Sequence, residues 1–157
     1  MNKEQLRKAL STFTTGVTLI TTLDINGKFH AMTANAFASV SLEPPLVLVC
    51  IADDTITHGN VTKHQIFGVN VLTSNQQQMA VYFAKPPHQR NRNVNADTQQ
   101  SSIGVPRIKG ALAFLGCRVV NSYRHGDHTI YIGEVEDLVI GSRETPLIFF
   151  ESQFAGL

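Results

Sequence analysis

At 157 residues, 43% hydrophobic and 16% charged, the chain is long enough to bury one core and short for two, so one domain over residues 1–157 is expected. Thirteen Lys and Arg against 12 Asp and Glu leave a formal net charge of +1, which argues against a nucleic-acid footprint and a polyacidic tail. No apolar run approaches the roughly 18 residues that cross a bilayer, and the first ten residues lack a signal peptide's apolar core, so a cytoplasmic protein off the membrane is expected.

Leu6, Ala9, Leu10 and Phe13 recur at helical spacing behind Asn2 as N-cap, and Gly16 stops that helix. Val17 to Thr22 is rich in β-branched residues and runs into Asn26-Gly27, a pair that tolerates positive φ and signals a hairpin, with a return strand from Lys28 towards Thr33. Phe37 to Leu42 follows. Leu46 to Ile51 is apolar at consecutive positions, which predicts a strand buried on both faces. Thr55 caps a short helix through Val61, Phe67 to Leu72 reads as a strand, and Ser74-x-x-Gln77 has the form of a capping box opening a helix to Ala84.

Residues 85 to 109 are polar and Pro-interrupted and read as a long surface loop with one turn of helix. This loop takes in the only local basic concentration, Lys85 to Arg92. Ala111 to Ser122 and Thr129 to Ile140 read as strands around a turn at Arg124 to His128, with a bulge near Gly133 to Val135. Pro146 precedes a final strand, Leu147 to Phe150. The expected architecture is mainly β: a small Greek-key barrel of about six antiparallel strands with two or three short helices.

The chain carries no G-x-G-x-x-G, P-loop, C-x-x-C or G-x-S-x-G pattern, which disfavours Rossmann, P-loop, thiol-redox and serine-hydrolase chemistry. His125 and His128 lack the further ligands a metal would need, so none is expected there. Cys50 and Cys117 sit in apolar runs and read as buried thiols rather than a disulfide.

The informative stretch is residues 30–49, HAMTANAFASVSLEPPLVLV. It reads as a loop of small and hydroxyl residues between apolar strands. Thr33, Asn35, Ser39 and Ser41 supply donors and acceptors, while Ala34, Ala36 and Ala38 let a ligand approach the backbone. A flat heteroaromatic ring with polar edges needs that mixture, although on composition alone a ligand-free polar loop stiffened by Pro44-Pro45 is the commoner case, since most such loops bind nothing.

The stretch resembles the signature of the flavin reductase-like family, the small reductase components of two-component flavin monooxygenases. The match runs through Thr33, Ala34, Asn35, Phe37, Ser39 to Leu42 and Pro44 to Val47. Similar features recur in order: Phe13-x-x-Gly16-Val17, Phe67 to Leu72, Phe83-Ala84, Lys109-Gly110-Ala111, Gly126-Asp127-His128, Gly133-x-Val135, Pro146-Leu147 and Phe154. Ala31 and Ala36 depart from the family's usual Gly and Ser.

The resemblance implies a split β-barrel that binds FMN or FAD and takes a hydride from NADH or NADPH. It also implies a homodimer that hands reduced flavin to an oxygenase partner. By the same resemblance Thr33, Ala34, Asn35, Ser39, Val40 and Ser41 line the flavin. Cys50, Ile51 and Ala52 face its ring or ribityl chain, Thr55 reaches the phosphate, and Phe83 stands near the cofactor; Lys85, Arg90 and Arg92 fit a phosphate contact and a solvated loop equally well. His128, oriented by Asp127, lies on the nicotinamide side. A non-catalytic flavin store is the alternative, and an oxidase of the pyridoxamine-phosphate type is a more distant one.

Overall fold

The structure, a computed structural model, describes residues 1–90, 94, 96–141 and 143–156. Arg92 lies outside them.

Helix α1 (Lys3–Ser11) starts at Asn2, whose side chain accepts a hydrogen bond from the Glu4 N–H at 2.9 Å. Then come β1 (Thr15–Gly16), β2 (Thr18–Leu23), β3 (Phe29–Ala34), β4 (Phe37–Leu42), β5 (Pro45–Ala52), α2 (Ile56–His64) and β6 (Ile66–Val71). A 3-10 turn over Ser74–Gln76 leads into α3 (Gln77–Phe83). The chain continues through β7 (Thr98–Gln100), β8 (Pro106–Ile108), β9 (Ala113–His125), β10 (His128–Ile140), β11 (Leu147–Phe150) and β12 (Gln153–Gly156). No helix among the described residues is long and apolar enough to cross a membrane.

Seven strands form one antiparallel sheet in the order β3-β2-β6-β9-β10-β5-β4. Its two edge strands, β3 and β4, are joined in the chain by only Asn35 and Ala36, so the sheet must curl until its edges meet at that end. The core confirms the closure: Ile20 of β2 and Val49 and Ile51 of β5 are far apart in strand order yet share one buried cluster with Val61, Phe67, Val69 and Tyr131. This is the expected mainly β split barrel. A second cluster, including Leu19, Ala31, Ala80, Phe83 and Leu147, fixes α3 and β11 against the outside of β2 and β3.

Several local expectations change. The hairpin at Asn26-Gly27 has a three-residue loop, Ile25–Gly27, in which only Gly27 takes positive φ (+75°). Asp24 organises it, its carboxylate accepting from the N–H groups of Asn26 and Lys28, both at 2.8 Å. The capping interaction sits one residue earlier than Ser74, with the Thr73 N–H donating to the Gln76 side chain at 3.0 Å. The segment 85 to 109 is not all loop, because β7 and β8 pair within it. Leu147–Phe150 is not the last strand, since β12 folds back onto it. Counting such short pieces, the described residues hold twelve strands, not about six.

The most consequential corrections concern residues 30–49 and β5. The stretch expected as a loop is strand on both sides of Asn35-Ala36, because its small residues fit a pleated edge. In β5 only Val47, Val49 and Ile51 are buried, while Leu46, Leu48, Cys50 and Ala52 on the other face are half-buried.

Candidate functional site

β3 is an edge strand, so every second residue turns its backbone N–H and C=O away from β2. Arg90 Nη2 donates to the Ala31 carbonyl at 3.1 Å, which marks Ala31 as one of these residues. By alternation, the N–H and C=O of Thr33 point the same way, offering a donor and an acceptor side by side. The Thr33 side chain is turned to the scaffold, its hydroxyl donating to the Ala80 carbonyl at 2.7 Å. Asn35 is exposed and its amide donates to Thr15 Oγ1 at 3.2 Å, while the Ala34 carbonyl accepts from Thr18 Oγ1 at 2.6 Å.

Two cavities flank this edge. One, of about 300 Å³, is walled by His30 and Met32 of β3, Thr55 at the head of α2, Phe83, Lys85 and Arg90. Arg90 is held in place on several sides. It lies 4.9 Å from the Phe83 ring centroid and 5.6 Å from that of Tyr82, and its Nε donates to the Lys85 carbonyl at 2.9 Å. His30 shares a hydrogen bond with Thr57 Oγ1 at 2.8 Å. Burial, and secondarily the Arg90 charge, lowers its pKa and keeps the ring neutral.

Thr55 accepts from the His58 N–H at 3.2 Å and donates to the Ala52 carbonyl at 2.7 Å. Its hydroxyl proton is therefore committed, and the anion-binding capacity at this end belongs to the free first-turn amides of α2 together with Lys85 and Arg90. The second cavity, of about 260 Å³, is lined by Thr33, Ala34, Asn35, Ala84, Phe149 and Phe154, with Val17 at its base. Ala84 lines both cavities, so they open on either side of it.

Other sequence-predicted residues are dispersed. Ser39, Val40 and Ser41 lie on β4, where a bulge between Ser39 and Ser41 breaks the register; Ser41 Oγ accepts from the Glu43 N–H at 3.2 Å. Cys50 and Ala52 point outward, and burial pushes the Cys50 thiol pKa up, so it stays protonated. Ile51 points the opposite way into the barrel and is 0% exposed, so its side chain is closed to a ligand. Phe83 belongs to the second core, packed edge-on against Phe29 and Tyr82, and shows only one side to the larger cavity.

His128 lines neither cavity. It stands at the β9–β10 tip, across from Ala52, with Nδ1 2.7 Å from the Asp127 carboxylate. That hydrogen bond holds the Asp127 pKa below the carboxylate range; the ionised group can only accept, so Nδ1 carries the proton and Nε2 is left free. Nearby, Asp53 ties the tip to α2: it accepts from Arg124 Nε and Thr129 Oγ1, both at 2.7 Å, and lies 3.6 Å from His58. Sequence reasoning assigned no role to His30, Ala84, Phe149 or Asp53. His30, Ala84 and Phe149 come near Thr33 or Thr55 only through the fold, and Asp53 gains its role by reaching Arg124 and Thr129, although Ala84 and Phe154 were visible as matched positions.

The arrangement offers a paired backbone donor and acceptor, a cationic end at a helix N-terminus, and an apolar pocket beyond. Residues 10–157 match the model of the flavin reductase like domain. The chain is 40% identical over 154 residues to an NADH-dependent flavin reductase from a Rhodococcus species, covering 97% of this chain and 85% of that one. The solved structure of the flavin reductase PheA2 in its native state superposes with a TM-score of 0.92 at 41% identity, over 100% of this chain and 99% of the other. The NADH:FAD oxidoreductase SgcE6 of Streptomyces globisporus, solved with NAD and FAD fragments, gives a TM-score of 0.89 at 36% identity, over 98% and 92% of the two chains.

Proposed function

The chain belongs to the flavin reductase-like family, and from that premise we propose how its residues divide the work of an NAD(P)H-dependent flavin reductase. The enzyme moves a hydride from a nicotinamide nucleotide to FMN or FAD and supplies the reduced flavin to a monooxygenase. The hydride chemistry resides in the bound nucleotides themselves. What the protein contributes is binding, orientation and exclusion of water.

The observation that carries the assignment is the free edge at Thr33, open beside a cavity with Lys85, Arg90 and the head of α2. A flavin fits these groups: its pyrimidine edge pairs with backbone N–H and C=O, and its phosphate suits the amides and cations at the other end. Thr33, Ala34 and Asn35 line the ring side; Thr55 shapes the phosphate end through its cap. Ser39, Val40, Ser41, Cys50 and Ala52 border the seam from the β4–β5 side, and Ile51 and Phe83 support it from the core. His128, its ring fixed by Asp127, presents Nε2 to the nicotinamide nucleotide as a positioning group.

The outer face of β4, β5 and β10 supports the homodimer as the proposed assembly. Leu46, Leu48, Cys50, Ile130 and Ile132 are half-buried there. A second copy of the chain covers such a face naturally. The expected setting is one domain acting in the cytoplasm.

The test is NADH and NADPH oxidation by purified protein with free FMN or FAD at increasing concentration. Turnover that saturates with added flavin is expected, and His128→Ala should lower kcat/KM for the nicotinamide nucleotide about fivefold, the worth of one hydrogen bond. Flavin binding without oxidation of either nucleotide would convert the reading to a flavin store.

A further inference from the structure

His128 stands at a hairpin tip with little packing of its own: its side chain is 48% exposed and that of Asp127 96%. The last rung between β10 and β5 is His128 against Ala52, and beyond it Gly126 and Asp127 turn the chain back to His125. An end rung of a sheet frays readily, so a side chain placed there needs further restraint to hold a nucleotide in one geometry. Asp53, the residue after that rung, supplies restraint from both sides of His128. Its N–H donates to the Asp127 carbonyl at 3.0 Å. Its carboxylate divides between the two strands: Oδ1 accepts from Thr129 Oγ1 on β10 and Oδ2 from Arg124 Nε on β9, both at 2.7 Å. Arg124 and Thr129 are themselves cross-strand partners. The Thr129 proton is thereby given to Asp53, so Thr129 accepts in its 3.3 Å contact with His58 Nε2. His58 stands in the first turn of α2, where the amides of the proposed phosphate end lie. Among the described residues, Asp53 and His58 are the only ones outside the hairpin whose side chains hydrogen-bond to residues 124–129.

We infer that Asp53 is a positioning residue for the hydride transfer, fixing His128 relative to the head of α2. A nicotinamide nucleotide held at His128 is then in register with a flavin whose phosphate sits at that helix. The inference rests on the reductase reading and on the place of His128 within it. Of the two side-chain contacts the Thr129 one carries more, because Thr129 is buried whereas the Arg124 side chain is 77% exposed and screened by water. Asparagine is no substitute for this carboxylate, since it has one acceptor oxygen where two donors arrive.

The test is a double-mutant cycle between Asp53→Asn and His128→Ala, read as kcat/KM for NADH at saturating flavin. Asp53→Asn keeps the backbone bond to Asp127 and should lower kcat/KM about fourfold, through KM, with the KM for flavin within about twofold. Added to His128→Ala, it should cost less than about 1.5-fold more, because the group it positions has gone. The dissociation constant of NAD⁺ for the flavin-loaded protein, by calorimetry, should rise about fourfold in Asp53→Asn and lose that response in the His128→Ala background. Thr129→Val, which keeps the shape and the Asp53 charge, should lower kcat/KM about threefold, and Thr129→Ser should restore it. This pair takes the place of Asp53→Asn in the cycle if that variant does not fold. An Asp53→Asn effect that stays about fourfold in the His128→Ala background would overturn the inference and leave Asp53 a purely structural part. No effect of Asp53→Asn on either constant would overturn it as well. A His128→Ala variant with wild-type kcat/KM would refute the reading of His128 itself and the inference with it, an outcome the single variant alone tells apart.

Discussion

The two faces of β5 are built from the same kind of residue and meet opposite fates. Val47, Val49 and Ile51 turn inward and are at most 5% exposed, sealed against β2, β6 and α2. Leu46, Leu48 and Cys50 turn outward beside Ile130 and Ile132 of β10 and stay half-buried. Consecutive apolar residues therefore do not mean two core faces within one chain. Here they make one core face and one half-buried outer face, and this second face runs up to Ala52 and His128.

The sharpest way to break that contrast is Ile51→Ala. A fully buried residue cut to a methyl should cost about 2–5 kcal/mol in denaturant unfolding. A cost below about 1 kcal/mol would mean that the inner face is not the packed one. Leu48→Glu acts on the other face. It should weaken self-association on the order of 30-fold in sedimentation equilibrium while leaving the stability of the single chain within about 0.5 kcal/mol. A wild type that stays monomeric at every concentration would remove the meaning given to the outer face.

The smallest effect is one of pH. Thr129, and then Arg124, hold Asp53 below its ordinary pKa of 3.8. A carboxylate with a lowered folded-state pKa contributes stability that is present above its unfolded value and lost as pH falls through the folded one. The stability gap between wild type and Asp53→Asn should be widest above about pH 4 and close below it. A gap that does not depend on pH would show that the Asp53 charge has no part in joining the β9–β10 tip to α2.

Local signals were read well wherever one or two residues decide the outcome. Asn2 caps α1, Thr55 caps α2, and the bulge near Gly133 falls where the alternation slips. Reading failed where a partner strand or helix decides. Thr33 to Ser41 looks like a loop because small and hydroxyl residues are common in loops, yet an edge strand also accepts them. Thr73 displaced Ser74 as the cap because the chain leaves β6 one residue earlier than the pattern suggests. Of the site, Thr33 to Asn35, Thr55 and His128 were legible as motif positions. His30, Arg90 as a clamp and the Phe149 wall depended on contacts across 27, 59 and 5 residues respectively.

By itself the sequence determined the helices, the longer strands, the mainly β class and the family, because turn chemistry, residue periodicity and spaced motifs are carried by near neighbours in the chain. The tertiary structure alone decided which backbone groups are free. Curling the sheet leaves β3 as an edge, turns Thr33's N–H and C=O outward, and sets α3 and β11–β12 on either side as cavity walls. Hydrogen-bonding groups become a site only where closure of the fold leaves them unpaired, and that depends on strands far apart in the chain.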